Sequence, residues 1–100
     1  MELEEVLSSK TRLRILKLIY TLGQLNISEV GRRINMNYTA ISEHIKILES
    51  AGILELRTYG RVHMYRFSGS PRAQAIAKLI EVWQEPSHNS AGLWDKTILG

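Results

Sequence analysis

The chain has 100 residues, of which 44% are hydrophobic and 23% are charged, and its formal net charge is +3. This length predicts one domain with a modest core. The acidic N-terminus is unlike a signal peptide, and no apolar run has the length of a membrane span. The absence of cysteine excludes disulfides, thiolate metal sites and cysteine nucleophiles. We therefore expect a cytoplasmic globular protein.

The basic residues are concentrated in the middle of the chain. Residues 8–72 contain eleven lysines and arginines against four glutamates, an excess of seven positive charges, whereas both ends are net negative. This distribution favours a polyanion as the partner of the middle segment.

Two helices are predicted first. A short one covers "LEEVL" and is followed by a break or cap at Ser8 and Ser9. A longer one covers "TRLRILKLIYTL" and ends at Gly23. Its apolar stripe consists of Ile15, Leu16, Ile19 and Leu22.

Two further helices are joined by about three residues, the spacing of a helix-turn-helix. Asn26 begins the first with a capping-box spacing to Glu29, and the helix ends near Asn35, which tolerates the left-handed conformation. Asn37 caps the second. Gly31 is costly inside a helix, so we expect it to mark a close contact between helices.

A β-hairpin and a last helix complete the pattern. "ILELRT" and "VHMYRF" flank a turn at residues 59–61, and Ser70-Pro71 begins a helix that ends before Pro86. This order predicts a mostly α fold with a small β-hairpin wing (α+β), a winged helix-turn-helix over residues 1–84. A tail follows over residues 85–100. We expect its apolar side chains to dock on the protein: Leu93, Trp94, Ile98 and Leu99.

The second helix of the predicted helix-turn-helix has a compact polar side. Its members share one face at spacings of three and four residues: Thr39, Ser42, Glu43 and Lys46. Hydroxyl, carboxylate and ammonium groups of this kind can contact base edges in a major groove. Tyr38, near the helix start, could touch a phosphate or a thymine methyl group.

Other basic residues are candidates for contacts with DNA phosphates, which set affinity but carry little sequence information. They fall on the second helix, on the helix before the turn and at the wing tip. In chain order they are Lys10, Arg14, Lys17, Arg32, Arg33, Arg57 and Arg61.

Three segments together resemble the ArsR-type winged helix-turn-helix transcriptional regulators: "KTRLRILKLI", "ISEHIKILESAGIL" and "GRVHMYRF". The resemblance covers roughly residues 7–84 and implies a DNA-binding regulator. Metal-sensing members carry a Cys-x-Cys pair where this chain has Asn26 and Ser28. Other members bind metal through Asp and His of the last helix, which "PRAQAIAKLIEVWQ" lacks. The resemblance therefore implies a regulator that is not a metal sensor, and we expect no metal and no other cofactor.

The histidines do not indicate a metal site. His44 falls on the apolar side of its helix, so we expect a packed, hydrogen-bonded side chain; His63 lies in a strand and His88 in the tail. The chain also has no glycine-rich phosphate loop and no evident acid–base pair, so we expect no enzyme activity.

The last helix has only one narrow polar stripe, so it should be buried on two sides, against its own domain and against a second subunit. The expected dimer interface combines this helix with the first: Leu3, Val6, Leu7, Ala73, Ile76, Ala77, Ile80 and Trp83. The alternative is that the C-terminal tail covers the helix.

These observations predict a regulator that binds specific double-stranded DNA sequences, acting as a homodimeric repressor. The first alternative is an architectural, nucleoid-type DNA-binding protein of low specificity. The polar recognition face favours the regulator, because a coating protein needs mainly cations. A protein-interaction winged helix is a third class, which the basic middle segment disfavours.

Overall fold

The computed structural model describes residues 1–84, so the predicted tail, the docking of its apolar residues and the position of His88 lie outside the described residues. The helices are α1 (Leu3–Leu7), α2 (Lys10–Leu22), α3 (Ile27–Ile34), α4 (Tyr38–Ser50) and α5 (Pro71–Gln84). The strands are β1 (Leu54–Tyr59) and β2 (Val62–Phe67). The predicted winged helix-turn-helix is confirmed. No helix within residues 1–84 is both long and apolar enough to cross a membrane.

Four of these helices begin at a side-chain cap. In each, a side-chain oxygen accepts a hydrogen bond from a backbone amide that lacks a partner within the helix. Asn26 Oδ1 accepts from the Glu29 amide at 2.7 Å, and Asn37 Oδ1 accepts from the Ala40 amide at 2.8 Å. The two serine caps act in the same way: Ser9 on α2 and Ser70 on α5.

The capping box expected at α3 is only half formed. Asn26 caps the helix, but the Glu29 carboxylate forms ion pairs with Arg32 and Arg33 rather than returning to the Asn26 amide. The carboxylate thus accepts hydrogen bonds from two guanidinium groups one helical turn away instead of from one backbone amide.

The turn between α3 and α4 is tight. Asn35 takes the left-handed conformation, with φ 66° and ψ 49°, as expected for the residue that ends α3. A Cβ atom on Gly31 would lie 2.8 Å from the Met36 carbonyl oxygen and 3.7 Å from Ile41 Cγ1. Gly31 therefore lets α3 approach both the turn and α4, which confirms the expected close contact.

The hairpin is antiparallel, and its register runs from Leu54 opposite Phe67 to Tyr59 opposite Val62. Tyr59 thus belongs to β1, and the turn is shorter than predicted, with Gly60 at φ 62°. The loop before α3 also joins β2, because Leu25 and Tyr65 exchange two backbone hydrogen bonds of 3.1 and 2.8 Å. This bridge attaches the wing to the helix-turn-helix.

The core lies between α2, α4 and the start of β1. Its fully buried side chains are Ile15, Leu16, Ile19, Val30, Ile41, Ile45, Leu48, Ile53 and Leu54. Burying a side chain of this size contributes about 1.5–3 kcal/mol of hydrophobic free energy. The inward face of α2 agrees with its predicted apolar stripe, except that Leu22 is exposed.

Helix α5 packs differently from the prediction. Ile76 and Ile80, expected at the centre of a dimer interface, are 6% and 5% exposed because they complete the core of their own chain. Ala73 and Val6 are buried with them, and Ala77 is half-buried. The large apolar side chains that remain exposed on α1 and α5 are Leu3, Leu7, Leu79, Val82 and Trp83.

Candidate nucleic-acid interface

A groove of about 590 Å³ lies between α4, the start of α3 and the wing. It exists because the Leu25–Tyr65 bridge holds β2 beside the loop that leads into α3. Its lining is mixed polar and apolar: Asn26, Ile27, Ser28, Tyr38, Ser42, Lys46, Arg61, Val62, His63 and Tyr65.

The outer face of α4 borders this groove. Thr39, Glu43 and Lys46 are exposed, as the predicted recognition face requires, and Tyr38 at the helix start is also exposed. These side chains offer a hydroxyl, a carboxylate, an ammonium group and a phenol. All are groups that can contact base edges or phosphates in a major groove.

Ser42 departs from this arrangement. It is only 9% exposed and lines the groove between Tyr38 and Lys46. The reason is its position on the helix, about 60° around the axis from the buried Ile45, at the edge of the apolar stripe. The expectation that Ser42 projects freely from the recognition face is therefore wrong.

Two cations line the groove from different elements. Lys46 comes from α4 and Arg61 from the hairpin turn, and neither forms an ion pair with another residue in the range 1–84. They can therefore neutralise a bound polyanion without first breaking an ion pair.

The other wing cation is partly neutralised. Arg57 lies 3.3 Å from the Glu55 carboxylate, which also binds Arg66 at 2.7 Å. The hydrogen bond from Arg66, followed by the charges of Arg66 and Arg57, holds the pKa of Glu55 below its ordinary value. Arg57 is exposed and close to the wing tip, so it remains a candidate for a phosphate contact.

Arg32 and Arg33 share one carboxylate on α3. Both pair with Glu29, whose pKa is lowered mainly by its hydrogen bond with Arg33 and also by the charge of Arg32. Because both guanidinium groups are substantially exposed, these ion pairs contribute little stability. The three side chains together retain one positive charge.

Arg14 and Lys17, predicted as phosphate contacts, lie elsewhere. With Arg33 they line a second cleft, of about 390 Å³, between α2, the end of α3 and the end of α5. None of its lining residues comes from α4 or the hairpin. The structure thus divides the predicted phosphate contacts between two places. Lys10, the remaining member, is exposed at the start of α2 and lines neither.

The histidines occupy different environments. His63 is exposed in the groove, whereas His44 is half-buried and its Nδ1 atom has no hydrogen-bond partner within residues 1–84. The expected hydrogen bond at that atom is therefore not formed. Burial, followed by the nearby charge of Arg12, lowers the pKa of His44. In the described part of the chain, no three His, Cys, Asp or Glu side chains cluster as metal ligands would.

Several groove residues were not predicted from the sequence: Asn26, Ser28, His63 and Tyr65. His63 and Tyr65 lie on one face of β2 because side chains two apart in a strand point the same way. Tyr65 is buried, which raises the pKa of its phenol. The alternation is visible in "VHMYRF", but the Leu25–Tyr65 bridge that turns this face toward α4 has no local sequence signal.

The chain is similar to known bacterial and archaeal regulatory proteins. Residues 9–55 match the family described as bacterial regulatory protein, arsR family. The arsenical resistance operon repressor of Escherichia coli (strain K12) is 30% identical over 83 residues, which cover 83% of this chain and 71% of the repressor. An uncharacterised HTH-type transcriptional regulator of Methanocaldococcus jannaschii is 30% identical over 80% of this chain and 89% of its own length.

A solved structure shares the fold. HlyU from Vibrio cholerae N16961 superimposes with a TM-score of 0.69 at 23% identity, covering 82% of this chain and 87% of HlyU. The sequence relatives are transcriptional regulators and not enzymes, as predicted for this chain. The chain belongs to the arsR family of bacterial regulatory proteins and is a DNA-binding transcriptional regulator.

Proposed function

We propose that the chain is a sequence-specific repressor that binds double-stranded DNA as a homodimer, with the exposed face of α4 in the major groove. The observation that carries this proposal is that Lys46 of α4 and Arg61 of the wing line one groove, while Thr39 and Glu43 are exposed on the same helix as Lys46. Base edges would meet Thr39, Glu43 and Lys46, while Arg61 and Arg57 would contact the backbone. Repression is inferred from the E. coli relative, itself a repressor.

The dimer part of the proposal rests on the exposed apolar side chains of α1 and α5. Leu3, Leu7, Leu79, Val82 and Trp83 are too many for an ordinary solvated face. A two-fold axis through this face would give two copies of α4 for one site, spaced roughly 34 Å apart for adjacent major grooves. We propose the cytoplasm as its location, since chromosomal DNA lies there in cells without a nucleus.

Domain boundaries follow the same proposal. Residues 1–84 would form the DNA-binding and dimerisation domain, and residues 85–100 would be a separate tail.

Competition between an operator selected from a random pool and excess random duplex tests the proposal. Thr39→Ala and Lys46→Ala should weaken operator binding by about 1–3 kcal/mol per lost base contact, and random-duplex binding by much less. Lys78→Ala is the matched control, because it removes an exposed cation from α5 and leaves the groove intact. Equal losses on operator and random duplex would instead favour the architectural alternative.

We also propose that metal binding does not control this regulator. The chain has no cysteine, and Asn26 uses its carboxamide as the cap of α3. Zinc, cadmium or arsenite, titrated against the bound operator, should leave the complex intact. Metal-dependent release that disappears in a His63→Ala variant would contradict this expectation.

A further inference from the structure

The cleft that contains Arg14 and Lys17 has the composition of a ligand site. Arg14 and Lys17 project from α2 and Arg33 from α3. The remaining lining is largely apolar and comes from α2 and the end of α3, with the last residue of α5 at its border: Leu18, Thr21, Leu22, Ile34 and Gln84. A volume of about 390 Å³ accommodates a small organic molecule.

Within this cleft, Arg33 lies on the side of α3 that faces away from the recognition helix. Gly31 marks the side toward α4, because its position lies against Met36 and Ile41. Arg33 follows two residues later, which is about 200° around the helix. A DNA duplex seated on α4 would therefore lie on the opposite side of α3 from Arg33.

Two of the three cations in the cleft have no ion-pair partner within residues 1–84. Arg14 and Lys17 form no ion pair there, and Arg33 shares the single carboxylate of Glu29 with Arg32. Cations often stabilise the last turn of a helix, and Arg33 lies in the last turn of α3, but neither Arg14 nor Lys17 lies in the last turn of α2. Three cations around one cleft repel each other, and a bound anion would relieve that repulsion.

We propose that this cleft binds a small organic anion, in which a carboxylate, sulfonate or phosphate group is attached to an apolar body. Arg14, Lys17 and Arg33 hold the charged group. Leu18, Leu22 and Ile34 cover the apolar body, and Leu22 gains burial that it lacks in the free protein. The site is separate from the DNA groove, since the two have no lining residue in common.

The probe for the test is 8-anilinonaphthalene-1-sulfonate, with uncharged N-phenyl-1-naphthylamine as its matched analogue. The full chain should bind the sulfonate more tightly than the amine, and the difference should shrink as salt is added. In the double variant Arg14→Gln/Arg33→Gln, the dissociation constant of the sulfonate should rise about five- to tenfold.

The control is Lys10→Gln/Arg32→Gln, which removes one cation from each of the same two helices, outside the cleft. In each double variant Glu29 keeps one arginine partner, so circular dichroism should show equal folding. The control should bind the sulfonate like the parent. Equal weakening in both variants, or equal binding of the two probes, would show adsorption to an apolar face and overturn the proposal.

DNA binding gives the second readout. With Arg14→Gln/Arg33→Gln, the slope of log affinity against log salt should equal that of the parent, because neither cation contacts phosphate. A slope reduced by about two would mean that both residues bind the DNA backbone, and the proposal would fail.

Discussion

Gly31 sits where α3 meets the turn that leads into the recognition helix. A Cβ atom added at this position would have the Met36 carbonyl oxygen as its nearest neighbour, at 2.8 Å, and a backbone atom cannot rotate away as a side chain can. The glycine is therefore a requirement of the close approach between α3 and α4, not only of local conformation.

Gly31→Ala should destabilise the protein by about 1–3 kcal/mol through this overlap. The direction of the change in stability is informative, because alanine normally stabilises a helix relative to glycine by about 1 kcal/mol. Urea unfolding measures the difference. Gly69→Ala is the control, since no atom lies within 4 Å of its added Cβ, and it should change stability very little. A Gly31→Ala protein more stable than the parent would contradict the close contact.

His44 is the residue whose burial has a consequence for pH. The pKa of its imidazole is lowered by burial and then by the charge of Arg12, while Glu43 acts weakly in the opposite direction. The folded state thus resists protonation of His44, whereas the unfolded chain accepts the proton at the ordinary pKa of 6.5. The stabilising effect of neutral His44 is fully present above pH 6.5 and is lost as the pH falls from there toward the lowered pKa.

The free energy of unfolding, measured with urea between about pH 8 and pH 5, should therefore decrease on acidification. A His44→Gln variant should show a smaller decrease over the same range, because glutamine does not titrate. If both proteins show the same pH dependence below pH 6.5, the pKa of His44 is not lowered in the folded protein, and the prediction is wrong.

At the scale of the elements, Ser70 has a wider role than the other helix caps. Its Oγ atom accepts from the Ala73 amide at 3.1 Å and donates to the Gly52 carbonyl at 2.7 Å. Gly52 follows the end of α4, so this hydroxyl connects the recognition helix to the start of α5. The Ser68 hydroxyl donates to the same carbonyl at 2.6 Å, so the two serines connect the segment after β2 to the end of α4 and the start of α5.

Ser70→Ala should cost about 1–2 kcal/mol in the free energy of unfolding, since it removes the cap and a second hydrogen bond. Ser9→Ala removes only a cap bond of 3.1 Å and should cost about 1 kcal/mol or less. Thermal or urea unfolding of the two variants under identical conditions makes the comparison. A larger loss for Ser9→Ala would mean that the Ser70 bond to Gly52 contributes nothing.

At the scale of the whole molecule, the exposed apolar side chains of α1 and α5 are the part of the surface on which the proposed homodimer depends. Leu79 is 45% exposed and Trp83 is 82% exposed, whereas Ile80, between them in sequence, is buried in the core. A charge at Ile80 would unfold the chain and reveal nothing about the dimer. A charge at Leu79 is compatible with the folded protomer and is costly only if a second subunit covers it.

Leu79→Glu should therefore yield a folded monomer by light scattering and circular dichroism, with much weaker operator binding, because burying the carboxylate in a subunit interface costs several kcal/mol. Gln74→Glu, on the polar stripe of the same helix, should remain a dimer and bind normally. A parent protein that is monomeric at micromolar concentration would contradict the homodimer itself.

The features predicted correctly from the sequence are those determined by neighbouring residues. Asn26, Asn37 and Ser70 cap helices by accepting a hydrogen bond from a backbone N–H three residues later, so each cap depends only on residues that are close in sequence. Two of the incorrect expectations concern burial, since helical periodicity places Ser42 on the exposed recognition face and Ile80 in the subunit interface. Helical periodicity shows which side chains share a face but not which element packs against that face. The positions of the wing beside Ser42 and of the core around Ile80 therefore follow only from the three-dimensional structure.

The hairpin also bears on solubility. Strand β2 pairs with β1 on one side and with Leu25 at the single position Tyr65 on the other, whereas within residues 1–84 no strand pairs with the outer edge of β1. An open edge can recruit a strand from another molecule and seed aggregation. Glu55 and Arg57 place opposite charges along that edge beside the exposed Leu56. Because charged side chains at an open edge disfavour pairing with another strand, the ion pairs of the wing also oppose the association of one wing with another.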